Sequence, residues 1–155
     1  MNADEFLKLL GKATSNAQTF EVSVHLVLGG CLGLNNELAL RLGSHLAIST
    51  ALDVIAELAP TPNCQLDGRR VQEWLPTARD ANAARNRVIH SPWYGDPSTG
   101  KMLGVINAKK KGAAVWSVPR SASDLQADSD RMRTTAEAAH ALVGFPAQLT
   151  AKKGS

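Results

Sequence analysis

From Gln65 to Trp93 the apolar residues recur at the spacing of a helix, yet polar side chains fall where that helix turns inward. With Val71 as origin and about 100° per residue, Trp74 lies at about −60°, Leu75 at about +40°, Ala78 at about −20° and Ile89 at about 0°. That arc belongs against a core. Asn82, at about +20°, and Arg85, at about −40°, sit inside it, while Asn86 and His90 take the adjoining flank and Arg87, at about 160°, points away. An arginine in an apolar stripe needs a partner. The spacing predicts one helix from Gly68 to His90, because Pro92 disfavours the α conformation at Ser91. Pro76 inside it either kinks the helix or opens a new segment as its first residue.

The remaining chain reads as a scaffold for this helix. At 155 residues it is one domain by size, and 44% hydrophobic against 20% charged residues is a globular balance. The apolar run from Val22 to Leu34 comes closest to a membrane span, but His25 interrupts it and it falls short of the roughly 20 residues required. Met1 to Glu5 lacks the basic start of a signal peptide, so the expected compartment is cytoplasmic, with no membrane contact. Cys31 and Cys64 are too few and too widely separated for a metal knuckle or a disulfide framework, and both read as free thiols. His25, His45 and His140 lack metal-ligand spacing and read as bundle residues. Neither metal nor cofactor is expected.

Phe6, Leu9 and Leu10 predict a short amphipathic lid helix over about Asp4 to Ala13. Thr14, Ser15 and Asn16 then read as the N-cap of a second, central helix that ends near Leu32. Gly29, Gly30 and Gly33 either terminate that helix or let another pack closely, with termination the favoured reading. Leu38, Leu42, Leu46, Leu52, Ile55 and Leu58 mark a helical hairpin or broken helix, parted at Gly43 and Ser44. Residues 91–100 read as a loop. The period then changes to two over Met102 to Asn107 and Ala113 to Val118, which predicts a β-hairpin within 101–118 whose tip carries Lys109, Lys110 and Lys111. Ser121 or Ser123 caps a last helix, stopped by Gly144 and Pro146, and 151–155 reads as a disordered tail. The expected fold is mainly α, a bundle of about five helices over 1–150 with a small β-hairpin inserted before the last.

Arginine supplies charge for a phosphate, and histidine is the side chain suited to exchanging protons near neutral pH. The run Arg85-Asn86-Arg87-Val88-Ile89-His90 resembles the signature of the HEPN (higher eukaryote and prokaryote nucleotide-binding) superfamily, an arginine followed by a polar residue and, a helix turn later, a histidine. The resemblance is strongest over Gln65 to Trp93 and does not extend to the hairpin. It implies a helical bundle, a homodimer in which two copies of the motif face each other, and metal-independent cleavage of RNA with Arg85 and His90 catalytic. Asn86, Arg87 and the lysines 109 to 111 are the expected substrate contacts. It equally admits a non-catalytic interaction or nucleotide-binding module, the partner of an antitoxin or a nucleotidyltransferase. In that case Arg85 pairs with an acid such as Glu21, and His90 merely caps its helix. Trp93 and Trp116 read as packing residues rather than base-stacking platforms.

Overall fold

The computed structural model describes residues 1–95, 102–108 and 116–144. Among these residues five helices form a bundle: α1 (Ala3–Cys31), α2 (Asn36–Gly43), α3 (Ile48–Leu58), α4 (Gly68–His90) and α5 (Ala122–Leu142). No single helix among the described residues is long and apolar enough to cross a membrane. The lid and the central helix expected as separate elements are one helix of 29 residues. Thr14, Ser15 and Asn16 carry a capping composition, but their polar groups find partners without a break in the helix. Thr14 Oγ1 donates to the Leu10 carbonyl (2.9 Å), Thr19 Oγ1 to that of Ser15 (3.0 Å), and Asn16 Nδ2 reaches Ser129 Oγ on α5 (2.9 Å). The cap lies earlier, at Asn2, whose side chain accepts from Glu5 N (2.8 Å) while the Glu5 carboxylate accepts from Asn2 N (2.9 Å).

At the other end of α1 the glycines divide the two roles open to them. Gly33, with φ +69°, takes the left-handed turn, and the bonds Leu34 N to Gly29 O (2.8 Å) and Gly33 N to Gly30 O (3.1 Å) complete a Schellman stop. Gly29 serves close packing instead, because a Cβ there would overlap Ala39 of α2. Gly43 does the same one turn along, against the ring of His25. Thus α2 lies close along α1, and the chain turns between Gly43 and Ile48 into α3.

Pro76 leaves α4 unbroken. It sits with Gln72 on the exposed face, where the carbonyl deprived of its helical partner meets water. Ser91 is extended (φ −88°, ψ 121°), and α4 ends where Pro92 requires. α1 packs against each of the other four helices, and α4 lies against α1, α3 and α5. Phe20, Leu28, Leu52, Ile55, Val71, Leu125 and Met132 are fully buried between them. At about 1.5–3 kcal/mol for each large apolar side chain removed from water, this one cluster dominates the stability. Trp74 joins it and donates its indole N–H to the Thr135 carbonyl (3.1 Å).

Between α4 and α5 run three short strands, β1 (Trp93–Gly95), β2 (Met102–Ala108) and β3 (Trp116–Arg120), paired antiparallel in the order β1-β2-β3. Trp93 faces Gly104, and Ile106 faces Val118. β1 falls in the stretch expected to be loop. The ring of Trp93 packs on Phe6 with centroids 5.2 Å apart, joining the sheet to the start of α1. Lys109, Lys110, Lys111 and the tail 151–155 lie outside the described residues.

Candidate functional site

The polar residues inside the apolar arc of α4 open onto a cleft of about 510 Å³ between α1, the α2–α3 junction and α4. Glu21 and His25 line it from α1, Ser44 and Ser49 from the junction and the start of α3, and Asn82, Arg85 and Asn86 from α4. Arg85 is held from both sides. Its Nε donates to Glu21 Oε1 (2.6 Å) and its Nη2 pairs with the same oxygen, while Nη1 donates to Asn86 Oδ1 (2.9 Å). The Arg85 and Glu21 side chains are half-buried, and a carboxylate supplies the partner that an arginine in an apolar arc requires. The guanidinium charge is matched inside the cleft, and its Nη1 edge lies beside Asn86.

His90 is not part of this lining. It stands exposed in the last turn of α4, on the same flank as the exposed Asn86 and one helical turn beyond it, about 6 Å along the surface. Arg85, Asn86 and His90 therefore form a strip that leads from the cleft to the helix end. Ile89, 41% exposed, lies beside the strip.

Arg87 faces another partner altogether. The helical phase that turned it away from the apolar arc turns it toward α5, where Nη2 and Nε grip the two oxygens of Asp128 (2.6 and 3.1 Å). Arg120, at the end of β3, places its Nη2 2.6 Å from Asp128 Oδ2. The expectation that Arg87 contacts substrate meets a side chain already committed within the fold. Asp128 raises the Arg87 pKa through these hydrogen bonds, against the opposing effect of burial, and Asp80 adds to the rise. Asp128 was missed in the sequence, although a signal was present. It occupies the inward arc of α5 with Leu125, Met132 and Ala136, as Arg85 does on α4.

His25, read as a bundle residue, stands one turn from Glu21 and against Gly43. Its Nε2 is buried with no hydrogen-bond partner. Burial lowers its pKa below the ordinary histidine value, and the nearby Glu21 charge works the other way. The ring at the wall of the cleft is consequently neutral at neutral pH. No three ligating side chains gather into a metal site among the described residues. Compared with known proteins, the chain matches no family model, no curated protein and no solved structure.

Proposed function

We propose that the chain is a metal-independent endoribonuclease of the HEPN type, acting as a twofold homodimer. The observation that supports it is the strip Arg85, Asn86 and His90, bound together at the Arg85 Nη1 to Asn86 Oδ1 bond and exposed at the histidine end. Cleavage of RNA by its own 2′-hydroxyl needs one group to take a proton and another to give one. A single strip offers one histidine. Two strips facing each other across a twofold axis offer both, and the exposed Ile89 gives such a contact an apolar element. In this reading His90 of one subunit deprotonates the 2′-hydroxyl, and the partner subunit's His90 protonates the departing 5′-oxygen. Arg85, oriented by Glu21 and Asn86, donates through Nη1 to the phosphate as its charge grows. The products are a 2′,3′-cyclic phosphate and a 5′-hydroxyl. In this reading β2 and β3 belong to a hairpin insertion, and the lysines 109 to 111, which follow β2 in the sequence, track the phosphate backbone of the bound strand. The protein works in the cytoplasm.

A second reading is supported by the Glu21 pair itself. Because the carboxylate already neutralises Arg85, the motif also suits a non-catalytic interaction or nucleotide-binding module. One experiment separates the two. Purified protein is incubated with structured and unstructured RNA in excess EDTA, beside Arg85→Ala and His90→Ala, with the oligomeric state followed by light scattering. Positioned acid–base catalysis contributes about 10²–10⁴-fold, so each variant should lose at least about a hundredfold in rate while remaining dimeric. Wild-type protein that leaves every RNA intact, or a His90→Ala protein as active as wild type, overturns the nuclease reading.

A further inference from the structure

The loop between α3 and α4 returns to the end of α1 and brings together two thiols that lie 33 residues apart in the chain. Gln65 N donates to the Cys31 carbonyl (2.9 Å), a backbone bond that ties the residue after Cys64 to Cys31 itself. With standard backbone dimensions on either side of that bond, the two α-carbons are no more than about 8 Å apart. The side chains have only that gap to close, and Cys64 lies near enough to act on the Cys31 thiol. Neighbouring contacts fix the same approach: Leu66 packs against Gly30, and Gln65 lies over Gly33. Both cysteines are free, Cys31 fully buried and Cys64 half-buried against the core.

We propose that Cys31 and Cys64 are a dithiol built to close into an intramolecular disulfide by exchange with a low-molecular-weight disulfide. The asymmetry in exposure sets the order of events. The Cys64 thiolate attacks one sulfur of the small disulfide, forming a mixed disulfide and releasing one small thiolate. Cys31 then gives up its proton to solvent, and its sulfur attacks the Cys64 sulfur. The mixed bond breaks, the protein S–S bond forms, and the second small thiolate leaves. The two cysteines are oxidised by two electrons, and the small disulfide is reduced to two thiols. Burial first, and then the neighbouring Cys64, beside which Cys31 is the thiol that keeps its proton, push the Cys31 thiol up to about 12. Cys31 accordingly stays unreactive toward reagents in solution and acts only on a sulfur delivered next to it. The closed bond would staple the α3–α4 loop, and with it Asp67, the N-cap of α4, to the C-terminus of α1.

The test uses the folded, reduced protein and dithiobis(nitrobenzoate), an aromatic disulfide that releases a coloured thiolate at each exchange. The dithiol releases two equivalents per chain, and its final mass is that of the starting protein less two hydrogens, with no adduct. Reduction restores both thiols. Cys31→Ser stops after one equivalent and keeps the aromatic adduct on Cys64, while Cys64→Ser releases none under native conditions. Wild-type protein that stops at one equivalent with a stable adduct overturns the proposal, as does a second equivalent that leaves two adducts. Because the wild-type mass alone discriminates, the outcome does not depend on how well either variant folds.

Discussion

Replacing Asp128 by asparagine keeps the shape of the side chain and removes the charge that two arginines share. The Asp128 and Arg120 side chains are 6% and 9% exposed, and Arg87 is 30% exposed. Arg87 can therefore swing its head into water when the carboxylate is lost, but Arg120 cannot. Its Nη1 is already buried without a partner, and in the variant its Nη2 faces an amide that matches it less well. Removing one partner of a buried ion pair and leaving the other uncompensated costs about 3–5 kcal/mol. A domain of this size loses roughly 2–4 °C of Tm per kcal/mol, so Asp128→Asn should melt roughly 6–20 °C below the parent by circular dichroism. Total stabilities of about 5–15 kcal/mol make that a large fraction of what the fold has. The double variant Asp128→Leu with Arg120→Met should recover most of the loss, since a buried ion pair replaced by apolar residues of similar volume is often neutral. An Asp128→Asn protein less than about 1 kcal/mol weaker than the parent would refute the reasoning, because the second arginine would then have found water the structure denies it.

Two further substitutions test the α1–α2 seam and the wall of the cleft. Gly29→Val forces α2 away from α1 at Ala39 and should cost about 1–3 kcal/mol in urea denaturation, an overpacking penalty; an unchanged midpoint would mean that the seam is slack. His25, with its pKa lowered in the fold, binds its proton more readily when unfolded. Its contribution is complete above the ordinary histidine value near 6.5 and is lost as pH falls through that value toward the folded one. Stability measured from pH 7.5 down to 5 should fall more steeply in the parent than in His25→Gln, and parallel slopes would contradict the burial argument.

Local signals made α4 legible from end to end. Its apolar period and the proline just after its last residue are both local to the segment, and the helix ends at His90. α1 was misread because Thr14, Ser15 and Asn16 suit a cap and a helix interior equally well. The choice was made by Ser129 on another helix, more than a hundred residues away. Arg85 announced its need for a partner by its phase, and Glu21 was within reach of inference as one of the alternatives. Arg87 announced nothing, because a helix packed on two sides has no single outward face, and a wheel drawn for one apolar arc labels the second interface as solvent. The thiol pair was hidden for a related reason. A separation in sequence carries no information on where a returning loop will lie.

Arg85 and Arg87 stand two residues apart on α4 and are bound to opposite neighbours, one to Glu21 on α1 and the other to Asp128 on α5. Tethers on two sides of a cylinder resist its roll: turning α4 to favour either pair stretches the other. Its last turn therefore holds a fixed azimuth, and His90, which has no such tether, inherits its direction from the two arginines before it. A ligand that draws Arg85 off Glu21 meets a helix that does not rotate to follow, so the response is confined to side chains at the mouth of the cleft.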